Sequence, residues 1–351
     1  MSRRVSIAVI GCGAVVERLH GPALVELAAA GEANIVALCD PDATRLAAVA
    51  ATFPRAATFN SIDGAIAARP DLAIIASPAA LHAEQSIALV DAGIHVLCEK
   101  PIAARRADAE RMVAAASRAR RVLAVGLLRR FFPSARLVRD LVGSGRLGEL
   151  ESATVLESGG FHWPFRSAAA FVPHLTPGGI LLDVGVHVLD LLAWWFPQTR
   201  VIAYEDDAMG GSEATAIATL RAGRAPLTVK LTRDWPIAGR YDLRFAHGRI
   251  GWDGVDPVNV RLEYHGPGAD VRLAAAAIPA QSWGDCFRAQ LQNVIGAVRD
   301  ETAPAVSGAD AIPSLSLIEE CYQMRTLLKS PWFSEAEADA ASRTAAEKVA
   351  C

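Results

Sequence analysis

Short apolar runs and longer amphipathic segments alternate over the first 126 residues. The runs at 5–10, 35–39, 72–76, 95–98 and 122–125 are rich in Val, Ile, Leu and Ala and read as strands. Between them, Ala-rich stretches at 14–30, 43–53, 61–68, 80–92 and 105–118 read as helices. Alternation at this pitch predicts a parallel sheet with helices on both faces. The strand runs agree, because a strand covered on both sides is apolar throughout rather than at every second position.

After residue 127 the rhythm changes. A helix at 133–142 stops at Gly143-Ser144-Gly145, and a strand at 152–157 follows. An irregular stretch rich in Pro and aromatics, 159–177, leads into a long apolar helix at 179–196. Alternating segments then succeed one another at 201–204, 214–220, 227–232, 241–245, 249–252 and 259–264, parted by turns such as Arg221-Ala222-Gly223 and His247-Gly248. Strands without intervening helices predict an open, mostly antiparallel sheet. Helices at 282–299 and 309–328 close the fold, before an Ala/Glu-rich tail. With roughly 100–200 residues per domain, a chain of this length divides in two. The expected division is 1–126, 127–334 and a tail at 335–351.

Three motifs carry chemistry. The first, Gly11-Cys12-Gly13-Ala14-Val15-Val16, follows a strand and opens a helix. Gly11 permits the tight turn, Gly13 lets a pyrophosphate approach the backbone, and the helix N-terminus stabilises its charge. Val16 stands where a dinucleotide fingerprint has its third glycine, so the match is partial. Asp40, at the end of the second strand, is placed to accept hydrogen bonds from the adenosine ribose. Asp40-Pro41-Asp42 offers no Arg or Lys for a 2′-phosphate, which favours NAD over NADP. The alternative is that Asp40 only caps the helix beginning near Ala43.

The second motif, Glu99-Lys100-Pro101, follows the strand at 95–98. It therefore lies at the carboxyl end of the sheet, where open α/β folds bind ligands. The third is the segment from Gly178-Gly179 to His187. Asp183 and His187 stand four apart amid leucines and valines, on one helical face. Asp190 continues the spacing. His187 alone also reads as a core histidine, and no Cys or His cluster completes a metal site, so no metal is expected.

Composition narrows the class. Hydrophobic residues make up 52% and charged residues 21%, which is a folded chain. With 35 basic against 38 acidic residues and no basic block, nucleic-acid binding is not expected. The apolar stretch 178–196 contains Asp183, His187 and Asp190, which argues against a membrane span. Six scattered cysteines without a C-x-x-C pair fit neither a disulfide framework nor zinc, and suit a reducing, cytoplasmic setting. Arg3-Arg4 before an apolar run mimics an export signal. Cleavage near Cys12 would cut the glycine turn, so the run is read as the first strand.

At these motifs the chain resembles the Gfo/Idh/MocA family of NAD(P)-dependent oxidoreductases. The resemblance spans roughly residues 5–330. It includes Gly11-Cys12-Gly13 with His20 and Pro22-Ala23-Leu24, Ser77-Pro78 with His82, Glu99-Lys100-Pro101, Gly126 with Arg130-Phe131 and Pro133, and the Gly178–His187 signature with Asp190. It implies an α/β protein with an N-terminal Rossmann doubly wound parallel sheet. The implied C-terminal α/β domain carries a large open sheet that pairs subunits into homodimers or homotetramers.

The resemblance also implies catalytic roles for Lys100, Asp183 and His187, with His187 as acid/base, Lys100 polarising the reacting hydroxyl and Asp183 orienting substrate and His187. Further NAD contacts are implied at Ser77, Pro78 and His82, with Glu99 near the nicotinamide ribose. His82 also reads as a local cap. Trp163 and Arg166 suit a sugar face and an anionic group, with an inward-packed structural loop as the alternative. Arg130 offers a further basic contact. The implied reaction is hydride transfer between NAD(H) and a sugar, cyclitol or nucleotide-sugar. An NAD-dependent glycoside hydrolase and a non-catalytic NAD-binding sensor or scaffold are the competing readings.

Overall fold

The computed structural model describes residues 3–158, 172, 174–209, 211–234, 237–266, 269–276 and 281–329. Trp163, Arg166 and the tail at 335–351 lie outside the described residues. The chain forms two compact units, the first made of Met1–Phe131, Pro164–Thr176 and Gln281–Ile312.

In the first unit the strands are β1 (Val5–Ile10), β2 (Ala33–Cys39), β3 (Ala57–Phe59), β4 (Leu72–Ile75), β5 (His95–Cys98) and β6 (Leu123–Val125). They pair in the order β3-β2-β1-β4-β5-β6, all parallel. The helices between them are α1 (Gly21–Ala29), α2 (Ala43–Ala50), α3 (Ile62–Ala67), α4 (His82–Asp91) and α5 (Arg106–Ala119). The strand order reverses beside β1, and ligands of doubly wound sheets bind at the carboxyl ends there. The apolar strands are buried as expected: Ile7, Ala8 and Val9 of β1 and all of β4 have no exposed surface. The three-residue β3, largely exposed, was not expected from the sequence.

The second unit contains Phe132–Trp163, Pro177–Ala280 and Pro313–Cys351. Its helices are α6 (Pro133–Gly143) and α7 (Val186–Trp195). Its strands are β7 (Leu150–Ser158), β8 (Thr199–Asp206), β9 (Thr215–Ala222), β10 (Ala225–Thr232), β11 (Arg240–Phe245), β12 (Gly248–Trp252), β13 (Asn259–Gly266), β14 (Ala269–Ala276) and β15 (Arg325–Leu327). They form one sheet, β14-β13-β12-β11-β7-β10-β9-β8-β15, antiparallel except for β7 with β10 and β8 with β15. One face is apolar and packs under α6 and α7. Trp195 meets Tyr241 and Trp252 edge-on at 5.9 and 5.7 Å and donates its indole N–H to Ala135 O at 3.2 Å.

The last two helices are α8 (Trp283–Asp300) and α9 (Gly308–Gln323). The division expected at 127–334 is corrected here, because α8 and the start of α9 belong to the first unit. The reason is α8's buried stripe, Phe287, Leu291, Val294 and Ile295, on a helix that packs with α1. Its N-terminus is closed by a capping box between Ser282 and Asp285.

Candidate active site

In the first unit, β1 runs into the turn Gly11-Cys12-Gly13. Gly11 has φ +90°, and a β-carbon there would lie 2.7 Å from the backbone of Ala76 and Ser77 at the end of β4. Only glycine fits both demands. A β-carbon on Gly13 would meet nothing within 4 Å, so the space over this residue is open. Ala14, Val15 and Val16 begin the helix that follows, and Val16–His20 form a π turn ahead of α1. Such turns recur at functional sites. An open glycine, a helix start and an acid on the neighbouring strand fit a dinucleotide.

That acid, Asp40, is buried, with its Oδ2 accepting from Cys12 N at 2.8 Å. It does not cap α2: Asp42 does, accepting from Thr44 N and Arg45 N at 2.9 and 3.0 Å. The sequence reading missed Arg45, in the first turn of α2, which donates to both oxygens of Asp40 at 2.9 and 3.3 Å. The absence of Arg from Asp40-Pro41-Asp42 therefore did not exclude a cation beside Asp40. Burial pushes the Cys12 thiol up to about 12, so it is a neutral packing group.

At the end of β5, Glu99 is buried. Its Oε1 accepts from His20 Nε2 at 2.7 Å and its Oε2 from Lys100 N at 3.0 Å. His20 has no exposed surface and meets Phe287 edge-on at 5.3 Å. Burial raises the Glu99 pKa, but the hydrogen bond and charge of His20, with the charge of Lys100, bring it below the usual carboxylate value. Gly126 closes over the group, since a β-carbon there would lie 3.0 Å from the carboxylate. Lys100 is thus fixed through its backbone, and the Lys100–Pro101 peptide is cis.

Two residues expected to contact a ligand have protein partners. His82 is buried, and its ring nitrogens face Ser77 O at 2.8 Å and Pro101 O at 2.9 Å. Burial lowers its pKa. It ties the loop Ser77-Pro78 to the Pro101 turn, the local role that was the alternative reading. Arg130 is also buried, donating to Asp310 O at 3.0 Å with Asp310 Oδ1 at 3.6 Å. In the described residues it ties this segment to Asp310.

In the second unit, Gly178-Gly179 opens the segment carrying Asp183 and His187. Residues Leu181–Gly185 form a π turn that continues into α7. A β-carbon on Gly179 would collide with the backbone of Glu213. Glu213, missed in the sequence, receives Gly179 N and Leu181 N on Oε1, each at 3.0 Å. Tyr322 Oη donates to the same oxygen at 2.8 Å, and Arg325 reaches Oε2 at 3.4 Å. Burial raises the Glu213 pKa despite these bonds. From 181 to 192, only Asp183, Val184 and His187 are not buried. Asp183 and His187 therefore share the open edge of the segment, whereas Asp190 is buried and leaves it. Arg233, a second missed residue, donates to Asp183 Oδ2 at 2.5 Å. Lys100 belongs to the first unit; Asp183 and His187 belong to the second. No group of metal-binding side chains occurs among the described residues.

The family model "Oxidoreductase family, NAD-binding Rossmann fold" matches residues 5–127, and the "GFO/IDH/MocA C-terminal domain" matches 135–251. This chain belongs to the Gfo/Idh/MocA family. It is thus an oxidoreductase with an NAD-binding Rossmann domain. A relative of full length is D-apiose dehydrogenase of Paraburkholderia graminis, 28% identical over 99% of this chain and 95% of its own. Inositol 2-dehydrogenase of Corynebacterium glutamicum (strain R) is 31% identical over 58% of each chain. Among solved structures, WlbA dehydrogenase from Bordetella pertussis, in complex with NADH and UDP-GlcNAcA, superposes with a TM-score of 0.76. It is 24% identical, and the match covers 92% of this chain and 96% of that one. Gfo/Idh/MocA membership accounts for the parallel sheet and the mixed sheet. No described helix is long and apolar enough to cross a membrane.

Proposed function

We propose that this chain transfers a hydride between NAD(H) and a secondary alcohol or ketone carbon of a sugar, sugar derivative or cyclitol. The observation that carries the reading is the pair Asp183 and His187, the two ionisable groups not buried on a segment where only Val184 is also not buried. Relatives named as apiose and inositol dehydrogenases support the substrate class, and the WlbA complex supports extending it to nucleotide-sugars. NAD supplies the nicotinamide carbon that takes or gives the hydride. Gly11, Gly13 and the helix start at Ala14, Val15 and Val16 hold its pyrophosphate, Asp40 faces its adenosine ribose, and the Ser77-Pro78 loop borders it. His187 removes the proton from the alcohol oxygen, since an imidazole titrates near neutrality. Lys100 polarises that oxygen, and its backbone is held by Glu99. Asp183, held by Arg233, orients the substrate.

A panel of sugars and cyclitols, read as NADH formed with NAD, tests the activity. With the substrate found, His187→Ala lowers turnover by roughly 100-fold or more, while NADH affinity stays within twofold. Unchanged turnover removes His187 from the chemistry; net hydrolysis without NADH makes the chain an NAD-dependent hydrolase. We extend the proposal to a reducing, cytoplasmic setting, supported by the buried free thiols Cys12, Cys39, Cys98, Cys286 and Cys321. We also extend it to a homodimer or homotetramer formed through the second unit's sheet, which sedimentation tests.

A further inference from the structure

The first unit has a second opening, at the amino ends of β5 and β6. A cavity of about 540 Å³ lies between the end of α5, the start of β6 and the segment joining α8 to α9. That volume falls within the roughly 300–1,000 Å³ of small-molecule sites. Gly11, Asp40 and Lys100 follow the carboxyl ends of their strands, so this cavity is not the dinucleotide site. Val113, Leu123 and Pro304 give it apolar walls.

Its polar groups are mostly donors. Arg121 donates Nε to Gly93 O at 2.6 Å and Nη1 to Arg120 O at 3.1 Å. Two carbonyls thus hold the guanidinium, and among the described residues no carboxylate pairs with it and Nη2 has no acceptor. Arg120 and the one acidic lining residue, Glu301, are both exposed and make no ion pair among the described residues. His95 also lines the cavity and accepts Val122 N on Nδ1 at 2.9 Å, which places its ring proton on Nε2. Burial, and then the charge of Arg121, lowers the His95 pKa, so the ring is neutral and Nε2 donates. Two guanidinium groups and an imidazole N–H outweigh one carboxylate, and a guanidinium fork matches a carboxylate head group. We propose that this cavity binds a small organic carboxylate with an apolar body. The head group meets Arg120 and Arg121, and the body covers Val113, Leu123 and Pro304. The site is independent of which alcohol is oxidised and is filled with NAD(H) in place.

The test is calorimetric titration of the full-length protein with phenylacetate, with and without NADH. Phenylacetate should bind in both conditions with a dissociation constant of about 1 mM or lower, in keeping with a ligand of its size. Phenylethanol, which keeps the body without the charge, and acetate, which keeps the head without the body, should each bind at least about tenfold more weakly. Arg121→Gln should weaken phenylacetate by roughly tenfold, the loss of a charge-assisted contact. Two exposed positions decide the matter if that variant does not fold. Arg120→Asn, which suits the left-handed backbone at φ +53°, should weaken phenylacetate about fivefold or more. Ser117→Trp, on the exposed side of α5, should block the cavity and abolish binding, and neither change should alter NADH affinity. No binding by wild type overturns the proposal, as does binding that neither Arg120→Asn nor Ser117→Trp changes. Equal affinity for phenylethanol makes the cavity an apolar cleft and overturns it too. Binding that NADH abolishes places the carboxylate in the dinucleotide site and likewise overturns it.

Discussion

Each unit opens its functional helix with the same device. Gly11-Cys12-Gly13 and Gly178-Gly179 each lead into a π turn, Val16–His20 and Leu181–Gly185. At each, a carboxylate from another segment accepts backbone amides of the opening: Asp40 from Cys12, Glu213 from Gly179 and Leu181. They differ in what else the carboxylate touches. Asp40 meets a partly exposed arginine on a short surface helix. Glu213 meets Tyr322 and Arg325, both half-buried, and Arg325 also donates to the buried Asp206 at 2.6 Å. One anchor stands beside an open glycine turn; the other holds the start of a helix. The glycines differ in the same sense, since Gly13 faces open space and Gly179 faces backbone.

The largest effect that separates the two openings is steric. Gly179→Ala drives a β-carbon into the Glu213 backbone, which cannot yield without disturbing the bond its carbonyl accepts from Ile180 N and those its side chain accepts from Gly179 N and Leu181 N. Expected is a destabilisation of about 3 kcal/mol or more, read by denaturant unfolding. Gly13→Ala should leave stability within about 0.5 kcal/mol yet weaken NADH at least tenfold, because the methyl occupies the approach of the pyrophosphate. If Gly13→Ala unfolds the chain, or Gly179→Ala is silent, the contrast is wrong.

What was legible follows from the range of the cause. The apolar strands β1, β4 and β5 and the glycine turn were readable, because burial on both faces and a forced φ act within a few residues. The π turns were read as plain helix, since one widened turn leaves the apolar pattern intact. The last turn of the helix expected at 309–328 is instead β15, paired in parallel with β8 at Tyr204–Asp206. That is a tertiary choice overriding local pattern. β14 is Ala-rich, a composition depleted in strands, and went unread. In the candidate site, Lys100, Asp183 and His187 were named from motifs. Glu213 and Arg233 were not, because they reach the segment from 30 and more residues away and no spacing announces them.

The next contrast is in pH. Glu99 and Glu213 are both buried, but their pKa values move in opposite directions from the usual 4.5. Glu99 is lowered, so its stabilising effect is present above 4.5 and lost as pH falls through its folded value. Glu213 is raised, so its contribution is full below 4.5 and is lost as pH rises through its folded value. Glu99→Gln should therefore flatten the acid limb of a stability–pH curve, and Glu213→Gln the fall on the other side of 4.5. Unfolding measured from pH 3 to pH 8 checks both; identical changes of slope would cancel the distinction.

The smallest expected effect on stability is at Arg233, and it tests whether the second unit also has a carboxylate that serves a ligand. Asp183 is half exposed, at 50% of its side chain, in contrast to the interior Glu213. An ion pair with so exposed a partner is screened and contributes under about 1 kcal/mol. Arg233→Ala should therefore melt close to wild type. Its consequence should be functional: Asp183 loses the contact that fixes its carboxylate, so KM for the alcohol rises while NADH affinity stays unchanged, and Arg233→Lys recovers part of the loss. A stability loss near that of Gly179→Ala would instead make Arg233 a structural counter-ion of the same kind as Arg325. The open edge at Asp183 and His187 would then be scaffold.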